Sequence, residues 1–296
     1  MKLILKALIR KLYSKIFKFF LFDSGVGENL EQLRNEIEIF KRQISDLNLT
    51  TEGFYRQSMI EIFAFLKPSI INDLQPSRIG KEGDGSYYLL PDFSDQDCVF
   101  SIGIGDEISF DNQLVHSVGR IIMIDHSIPE FIPQHSSMTM LHKKLSLIQN
   151  DQEINFSQLF GSYPSKDYIL KMDIEGDEWD ILNSIDSKDL ARFRQIVIEF
   201  HGLTKLKSSS LRLEVLKILK KIYYTHAVFF LHANNNGDFR VFGDLFIPDI
   251  IEVSFARRSD YKICDHLSSF ESMNIPQNSK IRDPIEIEWL ESIFLK

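Results

Sequence analysis

Cysteine is almost missing from this chain: Cys98 and Cys264 are the only two in 296 residues. They lie far apart and without metal-ligand spacing, which excludes a disulfide framework and a cysteine zinc site and points to a reducing compartment. Net positive charge is missing too. At −8 the chain would repel a polyanion over most of its surface, which argues against a nucleic-acid enzyme. No internal repeat or low-complexity tract is present, and a hydrophobic share of 44% is ordinary for a globular protein. Long apolar runs are also lacking at the start. In residues 1–22 lysines break every run before it could cross a bilayer, and no small-residue cleavage site follows, so neither a spanning helix nor an ordinary signal peptide fits.

What that segment does have is charge of one sign. Lys2, Lys6, Arg10, Lys11, Lys15 and Lys18 stand there with no acid, which leaves −14 on the remainder once this +6 is taken from the net −8. Leu5, Leu8, Ile9, Leu12, Ile16, Phe19 and Phe20 share one helical face, so residues 1–22 are expected to form a basic amphipathic helix. Such a helix suits the surface of an anionic membrane, or docking on the main domain or a partner. Asp23 to Gly27 breaks it. Leu30, Leu33, Ile37, Phe40, Ile44 and Leu47 then recur at alternating spacings of three and four, a seam of about three heptads that serves either a homodimer through residues 30–54 or packing on the main domain. A further helix, Phe54 to Leu66, ends before Pro68. The expected divisions are 1–22, a helical region over 28–67, and a main domain over 71–296.

From there the pattern alternates strand and helix, which predicts an α/β fold with a mostly parallel sheet. Expected strands are Cys98 to Ile104, Arg120 to Asp125, Ser137 to Leu147, Tyr168 to Asp173 and Gln195 to Phe200, with Val228 to His232 and Ile251 to Phe255 as a closing pair. Helices are expected over Ser109 to Val118 and Leu211 to Tyr223.

The stretch YILKMDIEGDEWDIL, Tyr168 to Leu182, is the centre of the domain. Its apolar run stops at Asp173, acids follow at Glu175 and Asp177 around Gly176, and a helix begins at Glu178. Acids at the carboxyl end of a strand stand where α/β sheets bind ligands, although one of them could simply cap the helix. SIGIGDE supplies Gly103 and Gly105 for a sharp turn beneath a ligand, and Ile108 stands where a dinucleotide fingerprint needs its third glycine. Glu199 and His201 close the fifth strand. His232, Asn234 and Asn235 close the next. Two imidazoles at strand ends beside acids are candidates for acid–base chemistry.

These stretches resemble the FkbM-type methyltransferases, a branch of the class I S-adenosylmethionine-dependent enzymes. KMDIEGDEWDIL is similar to the family's K-x-D-x-E-G-x-E signature, and RIGKEGDGSYYL, VFSIGIGDEISFD, IVIEFHG, LHANNNG and IPDIIEVSFARR stand in the family's order, so the resemblance spans about Arg78 to Arg258. It implies a Rossmann-like domain with a mostly parallel seven-stranded sheet, helices on both faces and an N-terminal helical extension. The implied activity is O-methyl transfer from S-adenosylmethionine to a sugar hydroxyl of a glycan, polysaccharide or glycolipid precursor, in the cytoplasm at the inner face of the cell membrane. Cofactor contacts fall on Gly103, Gly105, Asp106, Asp125, Asp84, Gly85 and Asp173, with Asp125 on the ribose. Where many class I enzymes have an acid this chain has Ser101, so Asp106 or Glu107 is expected to meet the ligand's cationic end. Catalysis falls on Asp173, His201, His232 and Glu199, with His201 or His232 as general base. Arg78, Tyr87, Glu175, Asn234 and Asn235 are the expected acceptor contacts. Two other readings stay open: a metal-dependent hydrolase, its divalent ion on Asp173, Glu175, His201 and His232, and a catalytically silent scaffold. Such a metal could also assist methyl transfer.

Overall fold

The computed structural model describes residues 39, 52–71, 74–128, 133, 135–242, 245–266, 278 and 294. The expected helix over residues 1–22, and nearly all of the heptad seam with its dimer contact, lie outside them. The chain divides after Gln57, and the sheet with its flanking helices belongs to the unit Ser58–Lys296. Helical residues 52–64 stand close to the expected span.

Short runs of β-branched and large apolar residues, apolar on both faces, fold here as interior strands. They are β1 (Asp97–Ile102), β2 (Arg120–Ile124), β3 (Met138–Leu141), β4 (Asp167–Met172), β5 (Phe193–Phe200), β6 (His226–Ala233) and β7 (Ile251–Arg257). The sheet order is β6-β7-β5-β4-β1-β2-β3. β7 alone runs against the direction shared by the other six. The closing pair is therefore present, with β7 inserted between β5 and β6. The third strand is shorter than expected, because the chain leaves the sheet after Leu141 and Lys144–Leu145 pair instead with Glu153–Ile154.

Both faces are covered. α1 (Ser109–Leu114) sets Phe110 and Leu114 against Val99, Ile121, Ile169 and Val197. Neighbouring residues on the same strands point the other way. There α2 (Phe156–Ser162), opened by a capping box between Asn155 and Gln158, brings Phe156 and Phe160 to Phe193, with Phe100 and Tyr168 on the same aromatic cluster. Burying each such side chain stabilises the fold by about 1.5–3 kcal/mol. α3 (Glu178–Ser184) and α4 (Ser187–Leu190) lie between β4 and β5 in the chain. α5 (Ser209–Thr225), capped by the Ser208 hydroxyl, buries Val215, Ile218, Leu219 and Ile222 at helical spacing. Strand order reverses at β1 and β4, and the crevice beyond their carboxyl ends is where such sheets take ligands.

Candidate active site

At that crevice the backbone of β4 crowds the glycine loop. Asp173 N donates to Ile102 O at 3.0 Å, and a Cβ on Gly103 would fall 1.5 Å from Asp173 O. With φ at 72° as well, only glycine fits. A cavity of about 510 Å³ opens over the loop. Every residue expected to hold a cofactor borders it: Gly103, Gly105, Asp106, Asp125, Asp84, Gly85 and Asp173, joined by Tyr87 and Glu175.

Asp125 organises the loop. Its Oδ2 accepts from Ile104 N at 2.8 Å and Gly105 N at 3.1 Å, and its Oδ1 accepts from Ser127 N and Ser127 Oγ, both at 2.7 Å. Burial alone would raise its pKa, but these donors outweigh burial and lower it. Four donors fill the carboxylate's lone-pair sites, so a ribose hydroxyl would have to displace one of them.

Asp173 Oδ2 accepts from the Tyr87 hydroxyl at 2.9 Å, while its Oδ1 is buried with no hydrogen-bond partner among the described residues. It does not cap α3. No side chain caps that helix; Glu178, its first residue and fully buried, instead ties down the acid loop, its Oε1 accepting from Ile174 N at 3.0 Å and Gly176 N at 3.1 Å. The same Oε1 lies 3.1 Å from His201 Nδ1. His201 Nε2 then faces Glu175 Oε2 at 3.5 Å, Glu199 Oε1 at 3.6 Å and Asp173 Oδ1 at 4.0 Å. Burial would lower the imidazole's pKa, but Glu178 and the other acids outweigh it and raise it. Asp177, the third acid, pairs with Lys144 at 2.6 Å on the cavity rim. Glu199, 5% exposed, has its pKa pushed well up by burial and then by Asp173 and Glu252.

Six expected site residues do not line the cavity: His201 and Glu199 stand just beyond Asp173 and Glu175 of its wall, and four others are placed elsewhere. Arg78 pairs with Tyr88 in the hairpin Ser77–Ile79/Tyr87–Leu89, and alternation turns it from the face that Ile79 and Tyr87 present to the core; its nearest acid is Glu82 at 3.9 Å. His232 is not on the cavity. It stands on β6, three strand steps from β4, on the order of 14 Å, and its Nε2 is engaged by Asn278 Oδ1 at 2.7 Å. Burial lowers its pKa to about 4. The four-ligand set of Asp173, Glu175, His201 and His232 is therefore not assembled. Asn234 donates to Glu199 Oε1 at 3.0 Å from beneath, and Asn235 is likewise buried off the cavity. Among the described residues the one set of three ligand atoms close enough for a metal ion is Asp173, Glu199 and His201, within 4.8 Å of one another. Glu107, expected at the ligand, is spent on Ser109 N at 2.8 Å.

Three further residues of the site have no role assigned by the sequence, although Lys171 and Glu178 are the first and last fixed letters of the K-x-D-x-E-G-x-E signature. Lys171 reaches under the loop to the carbonyls of Ile102 and Gly103, with Nζ 5.1 Å from the Tyr87 ring centre. Glu178 anchors the acid loop. Asp111, on α1, is buried at the cavity wall. All three lie inside the motif stretches, and only their spacing to a folded neighbour assigns them.

The sheet order, with antiparallel β7 inserted between β5 and β6, is that of the Rossmann-like class I methyltransferase fold. The chain belongs to the FkbM methyltransferase family, whose domain matches residues 78–227, half of its length. No curated protein matches it. Among solved structures it is similar to SMU.1697c of Streptococcus mutans, described as a putative methyltransferase in complex with SAH, at 13% identity over 56% of this chain and 88% of that one, TM-score 0.31. An rRNA methylase of Streptococcus thermophilus is 10% identical over 56% and 89%, TM-score 0.33. Likeness at this level does not bear on the substrate.

Proposed function

We propose that the chain is an S-adenosylmethionine-dependent O-methyltransferase acting on a hydroxyl of a glycan, polysaccharide or glycolipid precursor. The observation that carries this is His201, held by Glu178 on one nitrogen and facing Asp173 and Glu199 with the other, beside the end of the cavity. The cavity suits the donor: it falls within the usual range of about 300–1,000 Å³, and Asp111 Oδ1 and Asp173 Oδ1, buried without partners among the described residues, call for a cationic ligand. Bound there, S-adenosylmethionine supplies an electrophilic methyl group on a sulfonium.

The chain's own residues do the rest. Glu178 fixes the tautomer with the proton on Nδ1, so the lone pair of Nε2 faces Asp173 and the acceptor side. A hydroxyl placed there would give its proton to Nε2 as its oxygen takes the methyl group and the sulfur–methyl bond breaks to leave a neutral thioether, assistance worth about 10²–10⁴ in rate. Glu199 and Asp173 line that point with acceptors for neighbouring hydroxyls, which suits a polyol. A divalent ion on Asp173, Glu199 and His201 is the second reading, favoured by their spacing, and its binding would compete with protons for the same ligand atoms. Activity that survives chelation would end it.

The test is transfer of labelled methyl from S-adenosylmethionine to saccharide fractions of the cell envelope. Label recovered after acid hydrolysis as an alkali-stable O-methyl sugar is expected. Label found only as methyl ester or methylamine would overturn the reading.

A further inference from the structure

One buried acid at the cavity has no part in the chemistry at His201. Asp111 on α1 is 1% exposed and lines the cavity wall, yet its Oδ1 has no hydrogen-bond partner among the described residues. Ser101, on β1 nearby, stands where many class I enzymes carry an acid; its hydroxyl lies close enough to the Asp111 carboxyl to hold that pKa down, but neither Ser101 Oγ nor Asp111 Oδ1 makes a hydrogen bond of ordinary geometry among the described residues. Lys171, a cation close to both, gives its Nζ to the carbonyls of Ile102 and Gly103 instead. A buried carboxylate oxygen in this state calls for a donor from outside the chain, and on a cavity wall a ligand can supply it. Of the methyl donor's two cationic groups, the sulfonium carries no N–H or O–H, whereas the primary ammonium carries three donors.

We propose that Asp111 holds the primary ammonium of the methyl donor's amino-acid portion, taking from the helix side the part that Ser101 leaves open on the strand. This rests on the reading of the donor as S-adenosylmethionine. It also displaces Asp106, exposed at the cavity mouth, and Glu107, bound to Ser109 N, from that part. Burial raises the pKa of Asp111 to about 6, with the nearby Ser101 hydroxyl and Lys171 pulling it back, so the carboxylate is ionised at neutral pH and ready for a cation.

The experiment is calorimetric titration of wild type and Asp111→Asn with two ligands. S-adenosylhomocysteine carries the ammonium, and 5′-methylthioadenosine carries the same nucleoside without the amino-acid portion. Expected is a loss of at least about tenfold in S-adenosylhomocysteine affinity on D111N, with methylthioadenosine unchanged within about twofold, since the ammonium contact is a charge-assisted hydrogen bond. Equal S-adenosylhomocysteine affinity in the two proteins would overturn the assignment, and so would an equal loss of both ligands, which marks a structural acid. Wild type that binds methylthioadenosine but not S-adenosylhomocysteine overturns it as well, whereas wild type that binds neither removes the donor reading beneath it. Should D111N fail to fold, the wild type alone decides: S-adenosylhomocysteine affinity must fall below about pH 6 while methylthioadenosine affinity stays flat, and parallel slopes would sink the proposal.

Discussion

His201 is where the chemistry of this site is decided, because its two nitrogens have separate partners. Nδ1 lies 3.1 Å from a fully buried Glu178, and Nε2 faces three carboxylates between 3.5 and 4.0 Å away. Those acids raise its pKa, so a base at this position is still protonated at a pH where free imidazole is not. The rising limb of the pH–rate profile should therefore lie above the ordinary histidine value of about 6.5. His201→Ala should cost about a hundredfold or more in turnover, remove that limb and keep donor binding. A variant with wild-type turnover would move the base to Asp173. The acids around His201 were legible as strand-end residues beside a histidine. That Glu178 holds the ring was not, since the contact runs from the first residue of α3 across to the end of β5, and nothing in local spacing records it.

At the scale of elements, the close approach of the glycine loop to the end of β4 is the joint of the site. Gly103 and Gly105 look alike in the sequence, and both turn with positive φ. Their surroundings differ: a Cβ on Gly103 strikes Asp173 O at 1.5 Å, and one on Gly105 meets nothing within 4 Å. Gly103→Ala should cost more than about 3 kcal/mol, beyond ordinary overpacking because backbone must move. Gly105→Ala should cost only the left-handed penalty of about 1–2 kcal/mol. Urea unfolding of the two variants measures the difference, and equal midpoints would contradict the joint. The strands were readable from their apolar runs to within a few residues, except the third, which ends at Leu141 where the pattern runs on to Leu147. Their order was not: β7 enters antiparallel between β5 and β6, and that insertion carries His232 away from Asp173. Pairing between strands of distant sequence leaves no periodic trace, so the expectation that two histidines share one site failed for that reason.

For the whole molecule, the charge asymmetry bears on location. No helix among the described residues is long and apolar enough to cross a membrane. We propose that residues 1–22 adsorb to anionic membrane, where six bases at about 1 kcal/mol each near the surface suffice for reversible binding. Liposome sedimentation should show binding that weakens with salt and is lost on deletion of the segment, and equal binding to neutral vesicles at high salt would contradict it. Donor binding, by contrast, belongs to the cavity at β1 and β4, and every step of the proposed chemistry depends on that cavity taking a cationic methyl donor. Calorimetric titration of the folded wild type with S-adenosylmethionine measures this without any variant. Saturable binding at one site per chain in the micromolar range is the predicted result, and a folded protein giving no such binding would contradict it.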